Sequence, residues 1–143
     1  MTFEQQSIQD AHGSLLAITF EQLALVIPAG GNTNCVTLTL KGRFSRVVME
    51  LDNIAAGQAL DQCLVQYQAH PDADWATWVS NAELNTGTAI AGRLIKVVTN
   101  PTTLASGSKS QIILDTTALH AIRLAVSAAA DSATINIRGT AGR

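Results

Sequence analysis

A two-residue hydrophobic period, broken repeatedly by turn chemistry, constrains this chain more than any other feature. It is clearest over residues 111–142. Ile112 and Leu114 lead in, Ile122, Leu124 and Val126 alternate next, and Ile135 and Ile137 follow the small-residue stretch 128–132. Successive side chains of a strand point to opposite faces, so this pattern predicts antiparallel strands with one buried face, closed by a hairpin. Residues 116–130 are also rich in Ala and Leu, which a helix would tolerate, but the spacing of two at 122, 124 and 126 favours a strand.

The same period recurs upstream. Residues 15–20 are a short apolar stretch, and 22–27 read as a strand with Leu23, Leu25 and Ile27 on one face. Residues 28–34 (Pro-Ala-Gly-Gly-Asn-Thr-Asn) form a turn, because proline removes a ladder donor and Gly-Gly-Asn admits positive φ. Residues 35–41 alternate, with Val36, Leu38 and Leu40 inward. A tight link at Lys41-Gly42-Arg43 leads into 44–51, where Val47, Met49 and Leu51 share a face, so the two strands are expected to form a hairpin. After a loop at 52–58, residues 59–69 set Cys63, Val65 and Tyr67 against an outer face carrying Gln62, Gln66 and Gln68. Residues 75–80 hold both tryptophans, 81–92 read as a loop, 93–99 as a strand, and 100–110 as a polar link long enough to cross between sheets. No inter-strand segment has the helical period that parallel crossovers need. About eight strands separated by turns predict an all-β chain, an antiparallel β-sandwich or jelly roll. Residues 1–14 lack periodicity and read as an N-terminal arm, or a helix over 4–11 if Phe3, Ile8 and Ala11 find a partner surface. Residues 15–143 form a single domain.

Composition narrows the classes of function. Of 143 residues, 47% are hydrophobic and only 14% charged, against about a quarter charged in ordinary globular domains. A surface so poor in charge is covered by small and amide side chains or hidden against other subunits, and interface cores are themselves depleted of charge. The net charge of −2, with three lysines and six scattered arginines, offers no basic face for nucleic acid. The longest apolar run, 23–27, is too short to span a bilayer, and 1–14 lack the plan of a secretory signal. Synthesis and first folding in a cytoplasm are therefore expected. Cys35 and Cys63 read as small buried hydrophobes; a cross-strand disulfide would need Cα atoms within about 7 Å.

Candidate chemistry is sparse. His70, Asp72 and Asp74 offer oxygen and nitrogen donors for a divalent cation, but the stretch has the composition of an acidic turn and lacks the further oxygens calcium requires. Trp75 and Trp78, with Tyr67, would serve a sugar-binding platform; a spacing of three puts the tryptophans on opposite faces, one toward the core and one toward a rim or interface. His12 and His120 have no adjacent nucleophile, no Gly-x-Ser-x-Gly elbow is present, and Gly30-Gly31 precede a strand rather than a phosphate-binding helix. No catalytic residue, metal ligand or cofactor site is predicted, and the chain reads as a non-enzyme. The candidate interface residues are Phe3, Ile8, Gln62, Gln66, Gln68, Trp75, Trp78, Arg123 and Arg138.

Residues 121–139, with 64–70 running through a polar turn to Trp75-Ala-Thr-Trp-Val79, resemble small all-β structural proteins of tailed-bacteriophage particles, of the head decoration or cement type. The resemblance implies a virion protein assembled in the host cytoplasm. Such a protein would stabilise a capsid lattice by contacts with the major capsid protein or other virion proteins, as a homo-oligomer, a trimer favoured, with the N-terminal arm as a lashing element. Carbohydrate-binding and fibronectin-like modules share the alternation, so a glycan-binding or adhesion module in a tail or fibre is the alternative. An analogy of fold assigns no residue a role.

Overall fold

A computed structural model describes residues 3–9, 11–13, 15–54 and 58–143. Met1, Thr2, Asp10 and Ser14 of the expected arm, and residues 55–57 of the expected loop, lie outside the described residues. Among the described residues ten strands run in chain order: β1 Phe3–Gln9, β2 Leu15–Ile27, β3 Thr33–Thr39, β4 Arg46–Asn53, β5 Leu60–Gln68, β6 Ala76–Val79, β7 Leu94–Val98, β8 Lys109–Asp115, β9 Ala121–Ala128 and β10 Ala133–Gly142. One short helix, α1 (Asn81–Thr86), lies between β6 and β7, and a 3₁₀ turn (Pro101–Thr103) between β7 and β8.

The strands form an antiparallel β-sandwich, as the alternation predicts. One sheet has six strands in the order β1-β2-β10-β4-β8-β7, the other four in the order β3-β9-β5-β6. Inward residues of both fill the space between: Phe20, Ile27, Met49, Leu51, Ile112, Leu114, Ile135 and Ile137 from the larger sheet, and Leu38, Cys63, Val65, Ile122, Leu124 and Val126 from the smaller.

The connections depart from expectation. Strands β9 and β10 make no hairpin: β9 is an inner strand of the four-stranded sheet, flanked by β3 and β5, and β10 an inner strand of the six-stranded sheet, flanked by β2 and β4. The turn between them passes from one sheet to the other across a core about 10 Å thick. It is pinned where the Ala128 and Ala129 N–H groups donate to the Pro28 and Ala59 carbonyls. Strands β3 and β4, expected to pair around Gly42, also lie in opposite sheets. Their link is held instead to the segment before β9, the Leu40 and Lys41 N–H groups donating to the His120 carbonyl and that of Gly42 to Leu119. Conversely the 100–110 link does not cross, since β7 and β8 pair directly. Both strands of a sandwich hairpin and both strands of an inter-sheet corner bury one face, so alternation alone cannot separate the two.

Each sheet carries a bulge with a left-handed residue, one on β2 and one on β3. At Ala24 (φ 51°) β2 changes phase, so Leu23 turns outward while Leu25 and Ile27 stay on the inner side; the expected single face Leu23-Leu25-Ile27 is corrected by this one extra residue. The Ala24 N–H donates to Asn136 Oδ1 at 2.7 Å. On β3, Val36 (φ 45°) lets Cys35 and Val36 both be buried, and its N–H donates to Gln22 Oε1 at 3.1 Å, tying one sheet to the other.

The N-terminal stretch is neither loose lead-in nor helix between Phe3 and Gln9. It is strand β1 at the edge of the larger sheet, in register with β2 from Phe3 opposite Gln22 to Ile8 opposite Ala17. An edge strand beyond the smaller sheet has little to bury, so its sequence carries no hydrophobic period. Residues 81–92, read as a loop, contain α1. Its start was legible: Ser80-Asn-Ala-Glu83 is a capping box, in which the Glu83 N–H donates to Ser80 Oγ and the Ser80 N–H to Glu83 Oε1. The left-handed Gly87 (φ 68°) closes it.

Candidate functional surfaces

The nine candidate interface residues separate onto different parts of the molecule. On the outer face of the four-stranded sheet, β5 presents Gln62, Gln66 and Gln68, and β9 presents Arg123 opposite Gln66. Arg123 Nε donates to Gln66 Oε1 at 2.6 Å, and its guanidinium lies 4.3 Å from the centroid of the Trp75 ring, a cation–π contact. Gln68 serves the neighbouring turn, its Nε2 donating to the Pro71 and Ala73 carbonyls. Between these long side chains, outward-facing Ala121, Ala125 and Ser127 are buried, so the surface there is made by amides, an aromatic ring and one cation.

Trp78 belongs elsewhere. It packs against the core, its ring 4.9 Å from that of Tyr67 at 55°, and its indole N–H donates to the Asp115 carbonyl at 3.3 Å. The tilt and the inward direction exclude a flat platform built from Trp75, Trp78 and Tyr67, consistent with opposite faces at a spacing of three. Phe3 leans on Phe20, ring centroids 6.2 Å apart. Ile8 is exposed on β1.

Arg138 lies on the opposite outer face, and there the structure assembles what the sequence did not show. The registers of β1, β2, β10, β4 and β8 align Glu4, Glu21, Arg138, Glu50 and Gln111 in one row across the larger sheet. This row lines a groove of about 570 Å³, continued by Gln6, Thr19, Val48 and Thr140. Arg138 Nε lies 3.3 Å from Glu21 Oε2, and Lys109 Nζ 3.9 Å from Glu50 Oε1. These are exposed pairs, each contributing at most about 1 kcal/mol. No local motif encodes the groove, because its residues are brought together by strand order alone.

The remaining chemistry is accounted for by turns and packing. His70 and Asp72 are an exposed turn pair, the Asp72 N–H donating to His70 Nδ1 at 3.1 Å. Among the described residues no group of three His, Cys, Asp or Glu side chains is placed to hold a metal ion. Cys35 and Cys63 are free and buried; burial pushes the Cys35 thiol up to about 12 and the Cys63 thiol higher still, the latter with a smaller contribution from Cys35. Among the described residues no helix is long and apolar enough to cross a membrane.

No protein-family model matches the chain, and no curated protein matches it in sequence. Among solved structures it is similar to the SPBc2 prophage-derived protein YomS, at 8% identity over 87% of this chain and 95% of that one, with a TM-score of 0.48. It is also similar to the CBM22-1–GH10 modules of Clostridium thermocellum xylanase 10B, solved with xylohexaose, at 10% identity, covering 99% of this chain but 24% of that one, with a TM-score of 0.42. These likenesses assign the chain no family and no function.

Proposed function

We propose that this protein is a non-enzymatic structural component of a phage particle, of the head decoration type, that works by contacts with copies of itself and with a capsid shell. The observation that carries the reading is apolar surface left uncovered on the β1–β2 side of the larger sheet. Ile8, Leu16, Leu23 and Val26 are 45%, 46%, 36% and 52% exposed in a chain with 14% charged residues. Solvated monomers expose single apolar residues routinely; four on one hairpin, a pair at each end with the Glu4–Glu21 row between them, fit a surface meant for subunit contact. Co-sedimentation of the purified protein with empty heads of the particle from the same genome, paired with light scattering, tests it. Stoichiometric capture on heads is expected, and a monomer that fails to bind them would sink the reading.

The groove favours a second reading, glycan binding. Carboxylates, amides, hydroxyls and one guanidinium converge there, the side chains that hydrogen-bond sugar hydroxyls. If this is the working surface, Arg138→Ala and Glu50→Gln abolish binding on a glycan array while Trp75→Ala leaves it unchanged. Array binding that survives both groove changes, or none from the unaltered protein, removes this alternative.

A further inference from the structure

Each sheet of a sandwich ends in two edges, and natural sheets protect their edges from pairing with other chains by shortness, bulges, proline or charge. Three of the four edges here carry such devices. Strand β7 has five residues, a register shift between Leu94 and Lys96, and the cation of Lys96 itself. Strand β6 has four residues and a register shift against β5. Strand β3 is interrupted between Cys35 and Leu38, where Val36 is left-handed.

Strand β1 has only one charge, Glu4, and a register shift confined to its last residue. Phe3–Gln9 runs seven residues, holds unbroken register with β2 from Phe3 to Ile8, and contains no proline and no cation. Every residue from Glu4 to Gln9 is exposed, so alternate N–H and C=O groups point away from β2, and among the described residues no strand lies beside them. A free backbone edge of this length is a template for another strand.

We propose that β1 is the docking edge for β1 of a second copy, pairing antiparallel about a twofold axis at Gln6 and joining the two six-stranded sheets into one. The proposal rests on the reading that the protein acts through subunit contacts and names the contact. Its charge pattern permits self-pairing. Centring on Gln6 places Glu4 opposite Ile8 of the second copy, Gln5 opposite Ser7, and Phe3 opposite Gln9. Glu4, the strand's single charge, thus stands four positions from its own mate, roughly 14 Å at a rise of about 3.4 Å per residue, and no like charges meet across the pair. The arrangement is isologous, so it closes as a dimer rather than the trimer that the family resemblance implies. Exposed Ile8 gains a neighbour, and the two grooves, each bordered by Glu4 and Gln6, become continuous across the axis.

The test uses the whole chain with two substitutions at exposed Gln6. Residues directly opposite in an antiparallel pair have Cα atoms about 4.5–5.5 Å apart, within the span of a disulfide. Gln6→Cys is therefore expected to give an oxidised covalent dimer in high yield, with buried Cys35 and Cys63 silent. Gln6→Lys sets two cations face to face on the axis and is expected to raise the concentration needed for association in light scattering at least about tenfold, a change of 1.4 kcal/mol. Ile95→Lys on β7 is expected to leave association unchanged. Association that persists in Gln6→Lys, with no cross-link in Gln6→Cys, overturns the β1 contact and leaves the assembly reading standing on head binding. Wild-type protein that stays monomeric at every concentration, with no cross-link, also overturns it, and co-sedimentation with heads then decides the functional reading on its own.

Discussion

At the scale of single residues, positions that the sequence left unremarkable carry much of the fold. Gly139 sits beside Phe20 in the β2–β10 pair, and a Cβ there would fall inside contact distance of Phe20 Cζ and of the Val48 carbonyl oxygen. The ring can yield by rotation, but the carbonyl belongs to the ladder and cannot. Gly139→Ala is accordingly expected to cost about 1–3 kcal/mol or more, read as a lowered urea midpoint, and Phe20→Leu in the same chain should recover only part of it. Asn53 is another such position: wholly buried, its Nδ2 donates to the Gln58 and Leu104 carbonyls at 2.7 and 3.1 Å. The cysteines behave as their sequence context predicts, as inert packing. Thiolate is the reactive form, and with both thiols buried and shifted upward, a thiol reagent at pH 8 is expected to label neither until urea unfolds the protein. Labelling of Cys35 at the rate of a free thiol in native buffer would contradict its burial.

At the scale of elements, α1 shows how local signals and tertiary contacts combine. The capping box starts it, and Arg93 from the approach to β7 clamps it, Nη1 donating to the Trp78 carbonyl at 3.0 Å and Nη2 lying 3.2 Å from Glu83 Oε2. Glu83 is held below the usual carboxylate range chiefly by the Ser80 N–H, helped by the Ser80 hydroxyl and Arg93 against a smaller desolvation penalty. A lowered folded value means the stabilisation is complete above the unfolded value, about 4.3, and lost as pH falls through the folded one. Glu83→Gln should therefore destabilise at pH 7 and converge on wild type in acid, which parallel urea titrations at pH 7 and pH 3 would reveal. Asp115 acts in the same direction through the Thr117 hydroxyl and N–H. Ser80→Ala is expected to cost about 0.5–2 kcal/mol, a cost legible in the Ser-x-x-Glu spacing alone. The clamp by Arg93 was not legible in that way, because its ten-residue separation from Glu83 has no local meaning.

At the scale of the whole molecule, the inside and outside of β10 decide whether the chain folds. Ile135 and Ile137 are fully buried in the sandwich, whereas Arg138 is exposed on the outer face. Ile135→Asp places a carboxylate among apolar side chains of both sheets and is expected to abolish cooperative unfolding, because a buried unpaired charge costs more than a domain's few kcal/mol of margin. Arg138→Ala removes one exposed ion pair and should shift stability by less than about 1 kcal/mol. Circular dichroism melts of the two variants test the assignment, and a cooperative melt from Ile135→Asp would overturn it.

The sequence by itself determined the core-facing side of most strands, because a period of two is a property of the strand and is written residue by residue; Leu23, turned outward by the bulge at Ala24, is an exception. Ile122, Leu124, Val126, Ile135 and Ile137 are buried as that period requires. Only the tertiary structure decided which sheet each strand joins. Hydrogen-bond partners in a sheet are chosen among segments far apart in the chain, and a strand buries the same face whether its neighbour follows it or lies across the core. For that reason the closing pair β9 and β10 separates into the two sheets, the row from Glu4 to Gln111 assembles from five strands, and β1, with little to bury, is left at the edge with its backbone free on one side.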